Sequence, residues 1–412
     1  MNLLITPARL LKTEPEVLAL SFARMADALG NSLLIILLPL YIAEQPAVLL
    51  DLPVETQVGL VISLYGFLFS FAQPLAGWAT DRVRKRKPFI LAGLALMTLA
   101  TLGFIFAKQY VWIVILRALQ GVGVAMIIPA VLALITGATE KRTRGNAMGV
   151  YSTLRMVGFA SGPLLAGAIH VHFGFTPAFI VGAGFLVVAM LLVQYTVKED
   201  SRYLEEYSTD GAVLKSFSAP TPTNLVLMFS TIVMASSLSM MSALETEFNH
   251  RLSQTALGFG VAFSALTISR LFVQIPVGRL SDRIGRKKLI VWGLVALAPL
   301  TVLFGYVGTT VQLINLRLVQ GVATACIAAP AFALAGDLAR KGGEGREMSF
   351  VTMGFGLGLG IGPLIAGILA GYVSFEFPFY VVGVMSLAAA GLVAWGAQES
   401  VGPGAHSDGV GR

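Results

Sequence analysis

The sequence predicts an all-α membrane protein, with twelve transmembrane helices in two pseudo-symmetric six-helix bundles. Three observations predict it. Of 412 residues, 56% are apolar and 12% charged, whereas a soluble domain carries about 25% charged residues. The apolar residues fall in blocks of about 20 without a polar face, long enough to cross a bilayer as helices. The chain also repeats itself. Gly77-Trp-Ala-Thr-Asp81-Arg82 returns 201 residues later as Gly278-Arg-Leu-Ser-Asp282-Arg283. Arg117-Ala-Leu-Gln120-Gly121 returns as Arg317-Leu-Val-Gln320-Gly321, and Gly162-Pro163 as Gly362-Pro363. Parallel repeats of this kind let two like bundles rock about a site between them.

The spans are expected near 17–43, 56–80, 88–107, 110–136, 146–169, 177–197, 224–247, 255–280, 289–308, 311–336, 348–373 and 378–398. Span 1 is apolar apart from Arg24 and Asp27. Spans 2 and 8 each end in a copy of the Gly-Asp-Arg loop. Spans 4 and 10 carry the repeated arginine. Spans 5 and 11 have small residues every fourth position: Gly158, Gly162 and Ala166, then Gly354, Gly358, Gly362 and Ala366. Such stripes let helices approach closely. Pro163 and Pro363 each remove a helix hydrogen bond. The halves are expected at 1–197 and 224–398. A polar linker over 198–223 carries Pro220 and Pro222, and the Gly-rich tail over 399–412 is expected to be disordered.

The net charge of +7 is spread by sidedness. An even number of spans puts both termini on one side. The loops and termini there hold 22 of the 29 Lys and Arg, and the opposite loops hold only Lys108 and Arg251. This asymmetry places the termini in the cytoplasm of a multi-pass cell-membrane protein, and it makes the basic loops topology signals rather than a nucleic-acid surface. The first apolar segment is too long and too charged for a cleavable signal peptide.

Enzyme chemistry finds little support. The chain has no Gly-Lys dipeptide, hence no phosphate-binding loop for ATP. Cys326 is the only cysteine, and His170, His172, His250 and His406 have no metal-ligand spacing beyond the first two. The glycine string 354–362 lies inside a span, with no strand before it. No metal and no cofactor are expected.

The ionisable residues inside spans are therefore the functional candidates, because charge at that depth is costly. Arg24 and Asp27 lie three residues apart and share a helix face. Asp27 is the only acid well inside a span. Burial raises its pKa and a neighbouring arginine lowers it, so a carboxylate that changes partner could bind and release a proton. A permanent ion pair is the structural alternative. Arg117 and Arg317 are symmetry mates, which argues partly for packing. Asn31, Arg155 and Arg270 are the candidates for a substrate cavity. Five cations against one acid within the spans weigh against assuming a cationic substrate.

Twelve spans, a six-plus-six repeat and the Asp-Arg loop after spans 2 and 8 resemble the major facilitator superfamily over nearly the whole chain. Gly149, Gly158, Gly162, Pro163 and Gly167 in span 5 are similar to the antiporter motif of its twelve-span drug:proton exporters, with Ala166 in place of that motif's first terminal glycine. The resemblance implies a cytoplasmic latch at Gly77, Asp81 and Arg82 and at Gly278, Asp282 and Arg283. In it each aspartate sits against a helix N-terminus and each glycine permits close approach. It also implies that Arg117 takes part in proton coupling with Arg24 and Asp27, and that span 5 faces the other half near span 8. The expectation is a proton-coupled exporter of small amphipathic or hydrophobic compounds, working as a monomer with a small-molecule substrate, protons and the lipid bilayer as partners. A carrier of an anionic metabolite or sugar is the rival within that class. A non-transporting receptor or sensor is the rival from outside it.

Overall fold

The computed structural model describes residues 14–45, 51–83, 85–139, 144–197, 221–338 and 344–401. Of the expected linker only 221–223 falls within these residues, and of the tail only 399–401. Twelve helical segments among them are long and apolar enough to cross a membrane. The first is two helices, α1 (Pro15–Ser32) and α2 (Leu34–Glu44). They join at Leu33, whose N–H still bonds to Leu29 O at 3.1 Å. Pro15 opens α1, where its missing N–H costs nothing.

α3 (Val54–Val83), α4 (Lys87–Gly103), α5 (Tyr110–Gly137), α6 (Arg144–Phe173) and α7 (Phe175–Thr196) complete the first six spans. The second six are α8 (Pro222–Ala243), α10 (Ala256–Ile284), α11 (Arg286–Leu303), α12 (Thr310–Asp337), α13 (Glu344–Tyr372) and α14 (Phe377–Gly396). Span 7 was expected to run to 247. It stops at Ala243, and after Leu244 a separate short helix, α9 (Glu245–Arg251), begins.

The repeat extends to local irregularities and to packing. α4 and α11 both finish in one turn of 3₁₀ helix, Phe104–Phe106 and Phe304–Tyr306. In the first half α1 packs on α6 and α7, and α4 on α5 and α7. In the second, α8 packs on α13 and α14, and α11 on α12 and α14. The second core gathers Leu227, Met234, Leu294, Ile327, Val351 and Val393, all fully buried. Large apolar side chains cover the outside, among them Trp292, Phe272 and Trp395, as a helix surface in lipid requires.

The chain forms two compact units that exchange helix ends relative to the halves read from the repeat. One comprises Met1–Leu49, Phe67–Lys215 and Thr255–Ser264, the other Leu50–Gly66, Ser216–Gln254 and Ala265–Arg412. Small residues are the reason. Within the first unit, the start of α10 lies against α6. Ser264 Oγ donates to Ala160 O at 2.6 Å, and a methyl on Gly167 would come within 2.6 Å of the Ala256 carbonyl. Within the second, the start of α3 lies against α13. Thr56 Oγ1 donates to Gly367 O at 2.9 Å, and a methyl on Gly59 would meet Pro363 O at 2.5 Å.

Candidate functional site

Arg24 and Asp27 are buried and form an ion pair one turn apart on α1. They are the polar part of a small cavity walled by Leu20, Ala23, Ile90, Leu94, Ile127, Val131 and Val193, from α1, α4, α5 and α7. Among the described residues, the second carboxylate oxygen of Asp27 and Nε of Arg24 have no hydrogen-bond partner. The pair is therefore satisfied on one edge only, which is costly in apolar surroundings.

The repeated arginines occupy matching networks. Arg117 Nη1 donates to Gln120 Oε1 at 3.0 Å, and Gln120 Nε2 to Thr101 Oγ1 at 2.9 Å. Arg317 Nη1 donates to Gln320 Oε1 at 2.9 Å. Gln320 Nε2 then donates to Ser237 Oγ at 3.0 Å, and Ser237 and Thr301 share a hydrogen bond at 2.8 Å. Arg317 is fully buried, with its guanidinium 5.5 Å from the Phe304 ring centre. Both arginines hold a glutamine one turn on, Gln120 against α4 and Gln320 against α8, whose Ser237 continues to α11.

Of the cavity candidates, Asn31 is buried in the first unit and Arg155 half-buried there, its guanidinium 5.7 Å from the Phe159 ring centre. Arg270 is half-buried in the second unit, where α10 crosses Gly321 of α12.

The loop motif differs from expectation. Gly77 and Gly278 permit no close approach here: a methyl on Gly77 would lie 3.7 Å from Pro129, and one on Gly278 would meet nothing within 4 Å. Asp282 is exposed and pairs at 3.4 Å with Arg286 of the next helix, across the left-handed turn at Gly285 (φ +106°). The N-terminus of α11 is capped by Glu399, which accepts from the N–H groups of Arg286 at 2.9 Å and Lys287 at 3.1 Å. Arg286 also pairs with Asp337 at 2.5 Å. Arg283 is exposed, and Arg82 is exposed with its guanidinium 5.3 Å from the Trp78 ring centre. The Asp81 side chain lies outside the described residues.

The antiporter-like stripe is also corrected. Gly158 and Gly162 face α1 of their own unit, not α10. A methyl on Gly158 would strike the Met25 carbonyl and Ala28, and one on Gly162 would strike Ser32 and the Leu29 carbonyl. The α10 contact falls instead to Pro163, opposite Gly260, and to Gly167. Successive positions on a helix point to different faces, so one glycine-rich helix serves two neighbours. Gly149 has open space around it.

Sequence reasoning missed one residue outright. Glu245 was placed at the end of span 7, and it is fully buried. The signal was its position before Phe248, in a segment otherwise rich in Ser and Met.

Twelve spans, duplicated helix pairings and a few deeply buried ionic groups define an integral membrane transport protein. The chain matches the Major Facilitator Superfamily model over residues 20–249 and 223–410, and it belongs to that family. It is 27% identical over 326 residues to the multi-drug resistance efflux pump PmrA of Streptococcus pneumoniae, covering 78% of this chain and 81% of that one. It is 30% identical over 299 residues to the multidrug resistance protein MdtG of Salmonella arizonae, covering 71% and 73%. A solved bacterial homolog of the human lysosomal transporter Spinster, inward-facing and occupied, has the same fold at TM-score 0.75 and 16% identity, covering 92% of this chain and 95% of that one. The protein is thus a multi-pass plasma-membrane transporter for a small molecule.

Proposed function

We propose that the chain is a proton-coupled exporter of small amphipathic or hydrophobic compounds, acting as a monomer by alternating access with both termini cytoplasmic. Export is supported by the names of the relatives, which are efflux and multidrug resistance proteins. Proton coupling is carried by one observation: the buried Arg24–Asp27 pair, half-satisfied in an apolar cavity. When Arg24 is held by Asp27 the carboxylate is charged; when the pair opens, the carboxylate takes a proton. Arg117 is assigned to the same relay by resemblance. The loops around Asp81 and Asp282 act on the balance between states. Asn31, Arg155 and Arg270 are assigned to the substrate path.

The test is uphill transport of the lipophilic dye ethidium in proteoliposomes under an imposed proton gradient. Exchange of one proton for one ethidium cation moves no net charge, so the pH difference alone drives it; about 2.5 pH units supply about 3.4 kcal/mol, enough for roughly a 300-fold dye gradient. Asp27→Asn should fold and still exchange dye downhill, while accumulation disappears. Accumulation at the wild-type level in Asp27→Asn would remove Asp27 from the coupling step.

A further inference from the structure

The second unit contains a carboxyl that the proposed relay does not use. α8 ends at Ala243, and α9 starts with Glu245, whose side chain has no solvent exposure. Among the described residues neither of its oxygens has a well-formed hydrogen bond, and the Asn249 amide is the one donor that acts on it. On α9, Glu247 bonds to Arg251 at 2.6 Å, and Glu376, just before α14, bonds to the same arginine at 2.9 Å. α9 also carries His250, and in the same unit Asp51 precedes α3 and Glu55 lies in its first turn. α8 carries no titratable side chain. Among the described residues no cation bonds to Glu245.

α9, which carries Glu245 as its first residue, is pinned in place by its other side chains. Phe248 packs edge-on against Phe375 at 4.9 Å and Phe379 at 6.1 Å. The Arg251 guanidinium lies 4.0 Å from the Phe375 ring centre and reaches Glu376. These contacts seat α9, and with it the buried Glu245, while Arg251 itself stays at the water. Burial pushes Glu245 well above the usual carboxylate range; the Asn249 amide one turn on pulls it the other way and does not offset this.

We propose that Glu245 is a second proton-carrying carboxyl, neutral while α9 is seated and ionised when α9 lifts. On lifting, the carboxyl O–H bond breaks, its electron pair stays on the carboxylate and the proton passes to water. Reseating α9 requires a proton to be taken back, so α9 cannot reseat with Glu245 charged. Release during transport rests on the proton-coupled reading above, whereas the neutral state of the seated carboxyl does not.

Two measurements on the purified full chain separate these parts. Infrared difference spectroscopy through an acid–base titration reads the carbonyl band of protonated carboxyls. A component of that band should vanish in Glu245→Gln, persist in Asp27→Asn and return in Glu245→Asp. Thermal stability gives an independent sign. A folded-state pKa above the unfolded value means the folded state binds more protons, so the contribution is present below about pH 4.3 and is lost as pH rises through the folded pKa. Wild type should therefore lose melting temperature with rising pH over that window, and Glu245→Gln should lose less. In the ethidium assay, Glu245→Gln should cut proton-driven accumulation at least tenfold and keep downhill exchange. An unchanged infrared band in Glu245→Gln overturns the neutral carboxyl. A lost band with wild-type accumulation overturns the carrier role. Wild-type transport indifferent to the proton gradient overturns the coupled reading and the release step together, and leaves the infrared assignment standing.

Discussion

The first helix of each half packs alike and carries different chemistry. Ser32 Oγ bonds to Gly158 O at 3.4 Å, and Ser239 Oγ to Gly358 O at 3.2 Å. Those contacts align α1 with α8 at an offset of 207 residues, rather than the 201 of the loops. At that offset Asp27 corresponds to Met234 and Arg24 to Thr231. The ion pair of the first half is thus replaced by uncharged residues in the second, whose buried acid, Glu245, corresponds to Leu38. Ser237, which relays Gln320 to Thr301, corresponds to Gly30. A side chain at Gly30 would meet the Gly182 carbonyl at 2.7 Å, so in the first half Gln120 reaches Thr101 directly. The packing and the repeated span arginines are common to both halves, whereas the Arg24–Asp27 pair and Glu245 each occur in one half only.

The comparison breaks most visibly at the arginines. If the Arg–Gln network is scaffolding in both halves, Arg117→Met and Arg317→Met should each leave a buried glutamine oxygen short of a donor, a cost of about 1–3 kcal/mol. Arg317→Met should lose the more, because Arg317 is sealed from solvent and also donates to Leu238 O at 3.4 Å. Only Arg117→Met should lose uphill transport at matched stability. Melting curves in detergent beside the ethidium assay decide this. Equal retention of transport by both variants would make Arg117 a packing residue only.

Much of this was legible beforehand, and the physics explains the rest. Span number, the repeat and the Arg24–Asp27 pair follow from hydropathy, self-similarity and a three-residue spacing. The direction in which a glycine faces does not, because every fourth residue marks a stripe without naming its neighbour. Span 5 does meet the start of α10, through Ala160, Pro163 and Gly167, while Gly158 and Gly162 of the same helix lie on α1. Glu245 escaped because an acid near a span end normally reaches water; a break at Leu244 and three phenylalanines turned it inward.

The stripes give the next effect. A methyl on Gly162 would meet the Leu29 carbonyl at 2.8 Å, and one on Gly362 would meet the Ser236 carbonyl. Backbone cannot yield as a flexible side chain can. Even alanine should therefore overpack, costing about 1–3 kcal/mol at either position. Gly149→Ala, with nothing within 4 Å, should be neutral or stabilising by about 0.4–1 kcal/mol through reduced freedom of the unfolded chain. Equal melting temperatures for Gly162→Ala and Gly149→Ala would show that α1 and α6 separate easily, and that Gly162 is not a packing constraint.

The smallest effect tests an inversion at the helix ends. In the first unit Lys87, at the start of α4, donates its ammonium to the carbonyls of Gln194 at 2.7 Å and Val197 at 2.9 Å, at the end of α7. In the second, Glu399, just after α14, accepts from the first N–H groups of α11. The same pair of helices is joined in both halves. One junction uses a cation on unsatisfied carbonyls, the other an anion on unsatisfied N–H groups. Each suits the partial charge of the helix end it touches and is worth about 0.3–1 kcal/mol at an exposed site. Lys87→Met and Glu399→Gln should therefore cost similar small amounts, and both losses should shrink as salt is raised. The two should differ in one respect. Glu399→Gln retains an amide oxygen that can still accept from Arg286 N–H, whereas Lys87→Met keeps no donor. A larger loss for Glu399→Gln than for Lys87→Met would mean that the anion does more than cap α11. Its bond through Ser400 to the Asp337–Arg286 pair is the contact that would carry the excess: Ser400 N–H donates to Glu399 at 3.0 Å and its Oγ to Asp337 at 2.7 Å. Ser400→Ala in the Glu399→Gln background would then produce no further change.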